Sequence, residues 1–137
     1  MKEIKIKRVT ALRSWAFLAL LLFSGAKVFS QSPSEILEAE KRFGGVWVNK
    51  ETARHLQLSF EGSQAIILDW NARLQKRESG DVYKARLTNG RLVMAEDKLH
   101  HAPYSEILLE KGMLVYLTRP LSDGRRQPWD REVFTRK

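Results

Sequence analysis

The pattern of apolar and polar residues after residue 30 changes once, at Gly44. Before that point, apolar residues recur with helical spacing at Ile36, Ala39 and Phe43, with Leu37 beside them. The preceding segment Ser32–Glu35 has the form of a capping box, with proline at the first helical position. These signals predict a single helix over residues 33–43 that ends at Gly44.

After Gly44 the apolar period becomes two, and turn residues recur at short intervals. The alternation is clearest where Leu56, Leu58 and Phe60 share one face of a strand. The pattern predicts an all-β fold, and the expected strands lie at about 45–49, 56–61, 64–70, 81–88, 91–95, 104–110, 113–118 and 130–136.

The links between these strands alternate between short and long. Three are tight turns, at Gly62-Ser63, Asn89-Gly90 and Lys111-Gly112. Alternate links of an up-and-down meander lie at opposite ends, so the tight turns should gather at one end and the long links at the other. We call the end with the tight turns and the helix the base, and the end with the long links the mouth. The prediction is a short eight-stranded up-and-down barrel preceded by one α-helix.

Gly45-x-Trp47, which follows the helix and opens the first strand, resembles the first motif of the lipocalin-like (calycin-type) β-barrel proteins. In that family the tryptophan lies at the closed base, and an arginine near the end of the last strand packs over it. The resemblance assigns that place to Arg136, with Arg131 as the alternative. Gly45, Trp47 and Arg136 are therefore expected to form a structural motif. The family's middle motif has no counterpart here.

Residues 1–30 have the order of a secretory signal peptide. A basic segment precedes the apolar run from Trp15 to Phe23, and mostly small residues follow it. The apolar run is nine residues long, whereas a helix that spans a bilayer needs about 20. We therefore expect a bacterial protein that is secreted or periplasmic, with no membrane span after processing.

Two cleavage sites are compatible with this leader. Cleavage after Ser30 leaves Gln31 first, and cleavage after Ala26 is the alternative. The expected organisation is a signal peptide at residues 1–30 and one lipocalin-like β-barrel domain at 31–137.

The leader also changes the charge argument. The whole chain has a formal charge of +8, but residues 31–137 hold 18 basic and 15 acidic residues, an excess of +3. Such a small excess does not indicate a nucleic-acid partner. The chain has no cysteine, which excludes disulfides and thiolate metal sites.

Candidate catalytic and metal sites are few. His55, His100 and His101 all fall in predicted long links and could bind Zn²⁺ or Cu²⁺, but adjacent histidines diverge and the spacing is not that of a metal site. Asp69 and Glu106 could serve as acid and base, although exposure on the polar face of a strand explains both. Motifs of nucleophilic, phosphate-binding and metalloprotease chemistry are absent from the sequence. We expect no catalytic residues, no metal and no cofactor, and a protein that is not an enzyme.

The long links carry nine basic and five acidic residues, an excess of +4. A cavity lined by apolar strands and ringed by cations suits a ligand with an apolar tail and an anionic head. The predicted ligand-binding residues are Arg73, Arg77, Tyr83, Arg125 and Arg126, and the tail is expected among Leu56, Leu58, Ile67, Tyr83 and Leu117.

The predicted function is that of an extracytoplasmic protein that binds a small hydrophobic or anionic amphiphilic ligand, such as a lipid, in the barrel mouth. The alternative is a non-catalytic protein-interaction module whose barrel is filled with side chains and whose long links contact a protein partner.

Overall fold

The computed structural model describes residues 31–120 and 128–137. The expected signal peptide and its cleavage sites, together with Arg125 and Arg126, lie outside the described residues. Within the described ranges, no helix has the length and apolar character needed to cross a membrane.

The first element is helix α1, Pro33–Phe43. Ser32 accepts a hydrogen bond from the Glu35 backbone, and the Glu35 carboxylate accepts one from the Ser32 backbone, both at 3.3 Å. The helix ends at Gly44, whose N–H donates to Glu40 O. A Cβ at Gly44 would lie 2.4 Å from that oxygen, so the close approach of the chain requires glycine there.

Eight antiparallel strands follow and close into a barrel in sequence order. Two strands extend further towards the mouth than predicted: β2 begins two residues earlier, at Arg54, and β3 continues to Asn71. A short 3₁₀ helix, Arg77–Ser79, lies between β3 and β4. The strands are β1 Gly45–Asn49, β2 Arg54–Glu61, β3 Gln64–Asn71, β4 Asp81–Thr88, β5 Arg91–Met94, β6 Ser105–Glu110, β7 Met113–Thr118 and β8 Asp130–Arg136.

The three tight turns gather at the base, as predicted. Asn89 and Gly90 have positive φ, and so do Lys111 and Gly112. This is the conformation of the type I′ turn, whose twist matches that of the flanking strands. The all-β fold class, with one N-terminal helix and an up-and-down barrel, is confirmed.

The core lies inside the barrel and continues into the helix. Ala39 and Phe43 bring the apolar face of α1 against the strands at the base. Inward-facing residues lie opposite one another on neighbouring strands, as Trp47 does with Leu56. The other buried members of the core are Leu58, Ala65, Ile67, Ala85, Leu87, Leu92, Ile107, Leu114, Tyr116 and Phe134.

One predicted tail contact is wrong. Tyr116 belongs to the buried core, so its neighbour Leu117 lies on the outer face of β7, opposite Glu106 and Arg131. The segment Leu114–Leu117 is apolar on both faces of the strand, so alternation alone does not decide which face turns inward.

Candidate functional site

Three charged side chains meet inside the barrel at the level of the mouth. Arg54 on β2 donates from Nε and Nη2 to the Asp69 carboxylate on β3, at 3.0 Å to Oδ1 and 2.6 Å to Oδ2. Its Nη1 donates to Glu132 on β8. Asp69 lies opposite Leu56 and Glu132 lies opposite Tyr116, so both carboxylates share the face of buried core residues. We call these three residues the Arg54 network.

The Arg54 network is partly shielded from water. The exposed fractions of the side chains are 27% for Arg54, 13% for Asp69 and 30% for Glu132. Burial by itself lowers the pKa of Arg54, but the hydrogen bond and charge of Asp69 and the charge of Glu132 outweigh it and raise that pKa. The guanidinium therefore stays charged and compensates the two carboxylates.

Two tyrosines complete the interior around the network. The Arg54 guanidinium carbon lies 4.8 Å from the centre of the Tyr116 ring, within the range of a cation–π contact. Tyr83 faces inward opposite Ile67 and is 40% exposed. Burial raises the pKa of Tyr83, and the negative charges of Asp81 and Asp69 raise it further. Tyr83 thus offers a neutral hydroxyl at the water-facing edge of the interior.

The interior side of the mouth is acidic, although the long links are basic. Asp81 lies opposite Asp69, and Asp130 lies opposite Thr118 next to Glu132 on the same face of β8. Among the described inward-facing residues at this end, four carboxylates therefore accompany Arg54. The charge of the links and the charge of the interior have opposite signs.

Of the predicted ligand-binding residues that the structure describes, the two arginines do not join Tyr83 in the interior. Arg73 is exposed in the link between β3 and β4. Arg77 donates from Nε to Gln57 Oε1 at 2.8 Å. Gln57 alternates with inward-facing leucines on β2, so Arg77 lies against the outer face of the sheet, whereas Tyr83 faces the interior.

The histidines do not form a cluster. His55 was expected in a link but lies in β2. Its ring stacks on Trp70 on the outer face, with 5.0 Å between the ring centroids. His100 Nδ1 lies 2.7 Å from Asp97 Oδ2, and that hydrogen bond lowers the pKa of Asp97. In the described part of the chain, no three His, Cys, Asp or Glu side chains are placed to hold a metal ion.

The two carboxylates considered for acid–base chemistry lie on opposite sides of the barrel wall. The expectation that Asp69 is exposed on a polar face is wrong, because it faces inward and binds Arg54. Glu106 lies on the outer face and accepts hydrogen bonds from Tyr104 at 2.8 Å and Arg91 at 2.7 Å. Those two hydrogen bonds lower the pKa of Glu106.

At the base, the contact expected between Trp47 and Arg136 is present. The Arg136 guanidinium carbon lies 4.3 Å from the centre of the Trp47 ring. Its Nη2 donates to Arg42 O at 2.8 Å and its Nη1 donates to Gly44 O. Trp47 is 1% exposed, and its Nε1 donates to Phe43 O at 2.8 Å. The alternative arginine, Arg131, instead pairs with Glu110.

A pocket of about 470 Å³ opens between β1 and β8 on the mouth side. Val48, Asn49 and Thr52 line one side of it, and Glu132 and Val133 line the other. Glu132 therefore lines this pocket and also belongs to the Arg54 network.

Sequence reasoning missed the Arg54 network because it assigned Arg54 to a link. The signal that could have revealed it is phase: Arg54 continues the inward series of Leu56 and Leu58, and Asp69 continues that of Ile67. Polar residues in phase with a buried apolar series face the interior.

The chain was compared with protein-family models, curated proteins and solved structures, and no match was found in any of the three comparisons.

Proposed function

We propose that this chain is a lipocalin-like extracytoplasmic binding protein that holds a small amphiphilic molecule in the barrel mouth. The observation that carries the proposal is the change along the barrel interior, from a packed apolar floor to the Arg54 network with Tyr83 beside it. Small-molecule sites combine an apolar lining with a few convergent polar groups. The lipocalin-like assignment is supported by the Trp47–Arg136 contact, and the location outside the cytoplasm by the order of residues 1–30.

The cost of the Arg54 network supports a binding role. Taking charges away from water carries a desolvation penalty, and well-packed apolar residues often give equal or better stability in their place. A barrel that serves only as a scaffold gains little net stability from three inward-facing charges. A ligand site does gain, because fixed charges and hydroxyls select the head group of the ligand.

The geometry favours a head group that donates hydrogen bonds over an anionic one. Arg54 already holds two carboxylates, so an anionic head would have to displace one of them. Asp81 and Asp130 add further negative charge on the same side. An alcohol or an amine can donate to these carboxylates or to the Tyr83 oxygen.

The tail of the ligand has to be short. Leu56, Leu58 and Ile67, where we expected the tail, are between 0 and 2% exposed and pack within the core. A long acyl chain would have to displace them, and removing packing from a core costs several kcal/mol, on the order of 2 to 5. The apolar surface available to a ligand is therefore the upper layer, near Tyr83 and Met94.

The test is a calorimetric titration of residues 31–137 with hexanol, hexylamine and hexanoate. We expect the alcohol and the amine to bind, and hexanoate to bind about tenfold more weakly, which corresponds to about 1.4 kcal/mol. Tyr83→Ser should weaken the binding of the alcohol. Val82→Ser is the matched control, because Val82 is the adjacent residue, faces outward and is 62% exposed.

Two outcomes contradict the proposal. If none of the three compounds binds at millimolar concentration, the barrel does not hold a small amphiphile. If hexanoate binds as tightly as the alcohol, the interior charge does not select the head group.

The exposed leucines of the long links favour the alternative, a protein-interaction module. Leu74 and Leu99 are each 83% exposed at the mouth. A photo-crosslinking residue at position 74 or 99 should then join one specific partner protein in the producing cell. The same photo-crosslinking residue at position 113, at the base end of β7, should not join that partner. Equal labelling at all three positions would rule against the module.

A further inference from the structure

The barrel closes through a short seam between β1 and β8. The two strands pair at only two positions, Trp47–Arg136 and Val48–Thr135, whereas β7 and β8 pair at five. The reason is local: β1 ends at Asn49, whose side-chain Oδ1 accepts hydrogen bonds from the next turn's backbone at 3.0 and 3.3 Å. The chain therefore turns away from β8 at Asn49.

Among the described strands, this early turn leaves part of the β8 edge without a partner. The Lys137 N–H donates to Val46 O at 2.9 Å, which fixes the direction of the backbone at that position. Backbone groups of alternate residues point to the same side of a strand. The N–H and C=O groups of Val133 and Arg131 therefore point to the seam, where no described strand meets them.

The space beside this edge is the pocket of about 470 Å³ described above. β8 carries no proline that would block pairing at this edge, and Lys50 and Glu51 of the turn after β1 line the far side of the pocket. The one charged residue of β8 that faces outward is Arg131, and it pairs with Glu110 at 2.7 Å.

We propose that the seam edge of β8 binds an extended peptide segment of a partner protein by strand addition. Backbone N–H and C=O groups in a row are satisfied by another backbone, and an extended peptide supplies both. The outward residues beside the gap, Val48, Val133 and Thr135, are all β-branched, so β-branched peptide residues would pack between them. The inference rests on the backbone edge of β8, which meets the Arg54 network only at Glu132, and does not depend on the proposed amphiphile.

The first experiment uses a fluorescein-labelled peptide amide, Lys-Thr-Val-Thr-Val-Lys, and measures anisotropy with residues 31–137. We expect saturable binding that falls at least tenfold for the fully N-methylated peptide, which keeps the side chains but cannot donate from its backbone. Equal binding of the two peptides would overturn strand addition.

The second experiment measures amide hydrogen exchange in the unmodified protein by NMR. The amides of Val133 and Arg131 should exchange rapidly in the free protein and at least tenfold more slowly with the peptide. Glu132 is the internal control, because its N–H points to β7 and should be protected in both states. If Val133 and Arg131 are already as protected as Glu132 in the free protein, the edge is not available and the proposal fails.

A variant pair isolates a single donor. Val133→Pro removes one N–H at an edge position, whereas Val133→Thr keeps the N–H and the β-branched shape. The first should lose peptide binding and the second should retain it. Should Val133→Pro fail to fold, the N-methylated peptide and the exchange measurement decide the question. A concentration-dependent dimer by sedimentation that protects the same amides would assign the edge to a second copy instead, and would overturn the proposal.

Discussion

Two arginines lie over aromatic rings at opposite ends of the barrel, and their polar partners differ. At the base, Arg136 lies 4.3 Å from the Trp47 ring centre and donates to backbone carbonyls at the end of α1. Towards the mouth, Arg54 lies 4.8 Å from the Tyr116 ring centre and donates to two carboxylates.

The difference shows what each end requires. The last carbonyls of a helix lack intrahelical partners and carry a partial negative charge, so Arg136 satisfies them without bringing a carboxylate into the barrel. Arg54 requires two carboxylates, whose desolvation offsets much of the attraction. The base contact thus closes the barrel, whereas the Arg54 network places charge where water or a ligand can reach it.

The largest expected effect comes from breaking the base. Trp47→Ala removes a ring that is 1% exposed and should cost about 3 to 5 kcal/mol of unfolding free energy. Urea unfolding followed by circular dichroism measures this. Trp129→Ala is the control, because Trp129 is 42% exposed and its loss should cost less than about 1 kcal/mol. Equal losses for the two variants would mean that the base contact is not special.

Breaking the Arg54 network should have an intermediate effect. Arg54→Met leaves Asp69 and Glu132 without their cation and should cost about 1 to 3 kcal/mol, between the values for exposed and buried pairs. The outer pair of Arg91 and Glu106 is the control, since Arg91 is 50% exposed and Arg91→Met should cost less than about 1 kcal/mol.

A triple variant sharpens the same comparison. Adding Asp69→Leu and Glu132→Leu to Arg54→Met removes all three charges and should recover most of the stability, because apolar replacements of a buried network are often neutral or better. The triple variant should also lose any selectivity among hexanol, hexylamine and hexanoate. A triple variant less stable than Arg54→Met alone would show that the network stabilises the fold.

The smallest effect is expected at high pH and concerns Tyr116, whose ring lies against the Arg54 guanidinium. Burial raises the pKa of Tyr116, so on unfolding its phenol loses a proton more readily. The stability it contributes is fully present below the unfolded pKa of about 10 and is lost as pH rises above that value. Tyr116→Phe should therefore flatten the fall in urea midpoint between about pH 9 and pH 11. Identical slopes for the two proteins would contradict the assignment.

Most of the fold could be predicted from the sequence because its signals are local. The capping box at Ser32–Glu35 specifies where α1 begins, and the glycine-containing turns specify where hairpins reverse. The base contact between Trp47 and Arg136 was implied by the resemblance to the lipocalin-like proteins. The Arg54 network could not be predicted in this way. Residues were assigned to the links by composition, and not by whether they continue the inward-facing alternation of the neighbouring strand.

The errors at the mouth share one physical cause. Arg54 was counted as a link residue because it precedes the first leucine of β2, and Asp69 was assigned to the exposed face because carboxylates usually lie there. Arg77 was assigned to the mouth, but the 3₁₀ turn carries it to the outer face. In each case the direction of one side chain, and not its chemistry, was misjudged.

The sequence by itself determined the helix, the eight strands and the two ends of the barrel, because periodicity and turn chemistry act over a few residues. Only the tertiary structure decided which face of each strand turns inward at the mouth, because that depends on the register between strands distant in the chain. The same register joined Arg54, Asp69 and Glu132 from three strands into one network. The turn at Asn49 ends β1 early, so that on the seam side none of the described strands pairs with β8 at Val133.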